Sequence, residues 1–108
     1  MTRFAYWAVT WTAVLVAGAA GAWAEVKLVS QQGKVFRPDR VTMTTADTLR
    51  IANDDGFLHH VYIDHPNLRF DSGGRRPAET VDIQFPRPGT YEVLCEIHPK
   101  MKLVVEVR

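Results

Sequence analysis

The rhythm of hydrophobic and polar positions changes once along the chain, at Glu25. From Phe4 to Ala24 no residue is charged, whereas beyond Glu25 the apolar positions recur every second residue in short runs rich in β-branched and aromatic side chains. A period of two is that of strands, and no segment shows the i, i+3, i+4, i+7 spacing of an amphipathic helix. The alternation predicts strands over Val26–Ser30, Arg40–Thr44, Thr48–Ala52, His59–Asp64, Thr80–Phe85, Tyr91–Cys95 and Lys102–Val107. Breakers separate them: Gly33, Pro38-Asp39, Asn53-Asp54-Asp55-Gly56, Pro66-Asn67, Gly73-Gly74 and Pro88-Gly89. Short strands so punctuated, without an internal repeat, predict an all-β sandwich or barrel of about seven or eight strands.

Strand parity then assigns faces. Val61 and Ile63 share a side with His59, while His60, Tyr62 and Asp64 fall on the opposite, solvent side. Tyr91, Val93 and Cys95 point inward and Glu92 outward; Met101, Leu103, Val105 and Val107 form a further inward set. One histidine, one cysteine and one methionine therefore enter the interior. Asn67 to Arg76, with two adjacent glycines and two adjacent arginines, reads as a solvated, mobile loop.

The uncharged N-terminal run follows Arg3 and ends in Ala22-Trp23-Ala24. A basic start, an apolar middle and a small-x-small end make residues 1–24 a cleavable export signal and 25–108 the mature domain. The rival reading is an uncleaved anchor, since the 21 uncharged residues of Phe4–Ala24 are long enough for a hydrocarbon core of about 30 Å. Removal of residues 1–24 takes away one of 13 basic residues and none of 12 acidic ones, so the exported domain is neutral. A neutral domain lacks the basic face of a nucleic-acid binder. The location expected is the periplasm, with no membrane attachment after cleavage and a monomeric state.

A single cysteine excludes an internal disulfide and any Cys-rich structural zinc site. Outside the cytoplasm an unpaired thiol is open to oxidation unless buried or bound. A domain this small buries only about 60% of its chain surface, so a bound metal is a natural staple. Cys95-x-x-His98-x-x-Met101 places a thiolate, an imidazole and a thioether in one tight loop. Soft sulfur with imidazole selects copper over hard cations, and two His and one Cys with a weak axial Met make a blue copper centre. Inward-facing His59 supplies the second imidazole. All four positions are then protein-filled, which leaves no place for substrate and points to one-electron transfer rather than catalysis.

These motifs resemble those of the cupredoxins, the small type 1 copper proteins, over Val35 to Val107. Phe36-Arg37-Pro38 with Val41 is similar to an early strand of that family, and Ala46-Asp47-Thr48 through Asn53 to its Gly-Asp-Thr segment ending in Asn. Phe57-Leu58-His59-His60-Val61 and Pro88-Gly89-Thr90-Tyr91 follow. The short ligand loop, and the six residues from Asn53 to His59, resemble the amicyanin-like branch, whose members are labelled methylamine utilization proteins. The resemblance implies a Greek-key β-sandwich, with His59, Cys95 and His98 as equatorial ligands and Met101 as the axial one. It implies that Asn53 ties the first ligand loop to the cysteine strand, and that Phe57, Leu58 and Pro99 form an apolar electron port.

Three positions depart from that pattern. His60 stands where related chains carry Asn, which makes it an alternative ligand or a proton-sensitive neighbour. Ala46 replaces a glycine, and Lys100 puts a charge on the port and so favours an acidic partner. The function expected is a periplasmic electron carrier, not an enzyme, between a donor dehydrogenase and a cytochrome or oxidase. The alternative is a periplasmic copper chaperone or buffer, against which the scarcity of Met stands (three, one of them Met1).

Overall fold

The computed structural model describes residues 23–108; the segment expected to be an export signal, residues 1–24, lies outside them but for its last two residues. Among the described residues, nine strands form two packed sheets and no helix occurs. The first sheet has the order β2-β1-β4-β7, built from β1 (Val26–Gln32), β2 (Val35–Arg37), β4 (Thr48–Asn53) and β7 (Thr80–Ile83). The second has the order β3-β9-β8-β5-β6, from β3 (Arg40–Met43), β5 (His59–His65), β6 (Leu68–Arg75), β8 (Gly89–Leu94) and β9 (Lys102–Val107). β1 with β4 and β3 with β9 pair in parallel; the other pairs are antiparallel. The fold is the expected all-β sandwich.

Alternation along the strands fills the space between the sheets. Leu49, Ile51, Val61, Val93, Leu103 and Val105 are fully buried, and each such side chain contributes roughly 1.5–3 kcal/mol by leaving water. His59, Cys95 and Met101 lie in the same interior, so the parity that packs the core also carries potential metal donors inward.

The structure corrects three expectations. There are nine strands rather than seven or eight, because Val35–Arg37 pairs with β1 as a short edge and Leu68–Arg75 forms β6. Residues 67–76 are therefore not a mobile loop: β6 pairs with β5 along nearly its whole length. Nor is His60 on a solvent face; it is buried, at 6% exposure. A bulge explains both misreadings. Between the pairs His60–Gly74 and Tyr62–Asp71 the register shifts, with Ser72 and Gly73 set against Val61 alone. Gly73 holds φ of 68°, the left-handed conformation in which glycine is the cheapest residue. The bulge throws Asp71 over the His60 ring and covers it.

Candidate metal centre

Two strand ends and one loop assemble the centre. β5 opens with His59, and β8 ends at Leu94, so Cys95 follows immediately as the chain turns. The loop closes when the Met101 amide donates to the His98 carbonyl at 2.9 Å, just before β9 begins. Met101 is buried at this junction. The Cys95 Sγ stands 3.8 Å from His59 Nδ1 and 4.0 Å from His98 Nδ1. One donor atom from each of the three residues lies within 4.8 Å of the others.

The His59 ring is clamped from behind. Its Nε2 donates to Asp55 Oδ2 at 2.6 Å, which leaves Nδ1 free to face the sulfur. Asp55 is itself held by the β1–β2 hairpin, whose Gly33 and Lys34 amides donate to its two oxygens at 2.7 and 3.2 Å. Both turn residues have positive φ, 69° and 60°, as a two-residue type I′ turn requires. Burial pushes the Asp55 carboxyl up, but the His59 bond and then the two amides outweigh it and hold the group below its ordinary pKa. A carboxylate behind a ligating imidazole fixes its tautomer and strengthens it as a donor.

The sulfur is held likewise. The His60 amide donates to Cys95 Sγ at 3.4 Å. Arg75 is buried beneath the site, at 5% exposure, and its guanidinium donates to the Ile51 carbonyl at 3.2 Å and to the side chain of Gln31. Burial lowers the Arg75 pKa, while attraction to Cys95 and Glu79 acts the other way. Asn53 Nδ2 donates to the Phe57 carbonyl at 2.8 Å and the Arg75 carbonyl at 2.9 Å. It therefore ties the ligand loop to β6, not to the cysteine strand. The His98 pKa is lowered, first by burial and then by His59 and Lys34, which keeps the imidazole neutral and able to ligate.

Around His98 the surface is apolar with a basic margin. Phe57, Leu58 and Ile97 are exposed at 40%, 45% and 45%. The Phe57 ring packs 5.2 Å from His59 and 5.5 Å from His98. Pro99 and Lys100 line one shallow depression with Lys34, Ile97 and His98, and Lys34 Nζ lies 5.6 Å over the Phe57 ring. The His60 ring, in contrast, turns to Asp71 and Glu96 rather than to Cys95.

The donor set fits a copper ion. Metal bonds of the length zinc makes, about 2.0 Å to nitrogen and about 2.3 Å to sulfur, opened to about 120°, separate N from S by about 3.7 Å, close to the 3.8 and 4.0 Å found, so the cage has room for a first-row ion. Two imidazoles, a thiolate and a nearby buried thioether suit copper and no hard cation. Sequence reasoning missed Asp55, the Gly33-Lys34 turn, Arg75 and Ile97. Asp55 carried one signal, an acid four residues before a ligand-type histidine, but in Asn53-Asp54-Asp55-Gly56 it reads as turn chemistry.

No protein-family model matches the chain. It is 32% identical over 104 residues to amicyanin-alpha of Methylorubrum extorquens, covering 88% of this chain and 87% of that protein. It is 30% identical over 100 residues to a chloroplastic plastocyanin of Oryza sativa subsp. indica, covering 82% of this chain. The chain spans 65% of the length of that plastocyanin and 57% of the one from Physcomitrium patens. Among solved structures, the Cu(I) form of an amicyanin variant superposes with a TM-score of 0.73 at 20% identity, over 82% of this chain and 88% of that one. A copper-containing nitrite reductase from Thermus scotoductus SA-01 superposes with a TM-score of 0.68 at 24% identity, but over only 22% of its own length, a likeness of fold alone.

Proposed function

The chain belongs to the cupredoxins, and on that footing we propose that it is an exported carrier of single electrons between redox proteins, with one copper held by His59, Cys95, His98 and Met101. The observation that carries this reading is the donor triad, with His59 and Cys95 buried and His98 half-exposed, its atoms within 4.8 Å of one another. Bound there, copper supplies a one-electron couple at a potential set by its ligands and their hydrogen bonds.

The chain's own residues do the rest. The Gly33-Lys34 turn holds Asp55, Asp55 holds the His59 ring, and the His60 amide donates to Cys95 Sγ. Donors fixed in this way need little rearrangement when the charge at the site changes by one. His59, Cys95 and Met101 are sealed from water, and only His98 is half-exposed. The His98 edge, ringed by Phe57, Leu58, Ile97 and Pro99, is then the electron port. An apolar port lets a partner approach closely without desolvating charge, and Lys34 and Lys100 at its rim favour an acidic partner.

A sealed ligand set suits a carrier better than a chaperone, which must surrender its metal. The export signal read in residues 1–24 supports a periplasmic location, where a dehydrogenase would donate and a cytochrome or oxidase would accept. The test is the visible spectrum of the purified domain after addition of Cu(II), before and after ascorbate. An intense thiolate-to-copper band that bleaches on reduction and returns on reoxidation is expected. A colourless or merely pale product from folded protein would overturn the proposal.

A further inference from the structure

A second cluster of donors lies on the side of β5 away from the copper ligands, and nothing in the electron-transfer reading uses it. We propose that His60, Asp71 and Glu96 form a separate site for a borderline divalent cation such as Zn(II), with His60 Nδ1 and the Glu96 carboxylate as donors and Asp71 behind the ring.

Three observations carry it. First, His60 is 6% exposed, and its buried Nδ1 has no hydrogen-bond partner. A buried ring nitrogen without a partner is costly, so the atom lacks an electrophile, proton donor or metal. Second, the Glu96 Oε2 faces that nitrogen at 3.7 Å. This is too long for a hydrogen bond, but an ion bonded at about 2.0 Å to each atom would fill it. Donor atoms of all three residues lie within 4.8 Å of one another. Third, the other ring nitrogen is already committed: His60 Nε2 donates to Asp71 Oδ1 at 2.6 Å. A carboxylate on the far nitrogen of a ligating imidazole sets its tautomer and raises its basicity.

The arrangement is built by the fold. The Ser72-Gly73 bulge aims Asp71 at the ring, and the Gly73 amide, donating to Asp71 Oδ1 at 2.8 Å, keeps the carboxylate in place. That amide first, and the His60 bond second, hold the Asp71 carboxyl below its ordinary pKa against some burial, so it is ionised as the role demands. Among the described residues neither Asp71 nor Glu96 pairs with a lysine or arginine, which leaves the cluster with uncompensated negative charge. Imidazole with carboxylate suits Zn(II), Ni(II) or Cu(II) rather than Ca(II) or Mg(II). The two features that the electron-carrier pattern leaves over, the His60 side chain and the Ser72-Gly73 bulge with Asp71, here serve one purpose.

The test is equilibrium dialysis of copper-loaded protein against Zn(II), with both metals measured per chain. One zinc taken up below about 1 mM, the weak end of physiological cation sites, with copper retained, is the expected result. Glu96→Gln, on an exposed side chain outside the core, should weaken zinc binding about 10-fold or more, and Asp71→Asn by a similar factor. His60→Gln is a further check if it folds, and Glu96→Gln stands without it. No zinc uptake beyond the copper equivalent, uptake only by displacement of copper, or affinity unchanged in Glu96→Gln would each overturn the proposal.

Discussion

Asp55 and His59 form a close pair, with Oδ2 2.6 Å from Nε2; His59 opens β5, and the half-buried Asp55 lies in the bend between β4 and β5. The pair joins a hairpin turn to a metal ligand, because the same carboxylate caps the Gly33 and Lys34 amides. Asp55→Asn keeps the shape but removes the charge that orients and strengthens the imidazole. Copper affinity should fall about 10- to 100-fold, read by competition with a copper chelator, while the far-ultraviolet circular dichroism stays that of the native sandwich. An unchanged affinity would leave Asp55 as a mere turn anchor.

Arg75 is a buried cation, and two of its partners, the Ile51 carbonyl and the Gln31 side chain, are also buried. Replacing it with Met leaves the Ile51 carbonyl and the Gln31 side chain short of a donor, at about 1–3 kcal/mol for an unsatisfied group. Arg75→Met should lose about 2–4 kcal/mol of stability, read from denaturant midpoints of the metal-free protein. Lysine should recover less than half of this, since its compact ammonium cannot reach Ile51 and Gln31 with separate donors as a planar guanidinium does. Stability unchanged in Arg75→Met would mean that the network contributes nothing net.

These residues show where legibility in the sequence stops. Parity put His59, Cys95 and Met101 inside, because strand alternation is local and the same pattern packs Val61, Val93 and Leu103. The Cys95-to-Met101 spacing was legible for a similar reason, since all of its donors fall within one loop. His60 and Arg75 were not legible. Their burial depends on a bulge in β6, and a bulge depends on which strand pairs with which, a long-range fact without a local signature beyond Gly73-Gly74. Asp55 was hidden in a run of turn formers, where its role rests on amides 21 and 22 residues earlier.

Lys34 and Lys100 flank the half-exposed His98, and both are exposed. Their charge should speed encounter with anionic redox reagents and fade as salt screens it. Lys100→Glu should slow oxidation of the reduced protein by ferricyanide about 5- to 10-fold at low ionic strength, and the difference should shrink toward nothing near 1 M salt. Stopped-flow traces at the copper band give the rate. A rate indifferent to the substitution at low salt would remove the case for an acidic partner.

Asp47 gives the fold a pH dependence whose sign can be stated. Its two oxygens accept the Thr44 and Glu25 amides, each at 2.8 Å. The Thr44 bond first and the Glu25 bond next pull the carboxyl below its usual range, against some burial. A carboxyl whose pKa is lower folded than unfolded stabilises the fold above the unfolded value of about 3.9, and that contribution is lost as pH falls through the folded value. Asn can accept with only one oxygen, so Asp47→Asn should melt below the parent at neutral pH. Both the folded and the unfolded carboxyl are ionised well above the unfolded pKa, so the gap should hold from pH 7 to about pH 5. Below about pH 4 it should shrink, and it closes as pH falls through the lower folded value, where the parent side chain becomes neutral like the amide. Thermal unfolding of the metal-free domain across this range measures it, and a gap of constant size at every pH would show that Asp47 acts by shape alone.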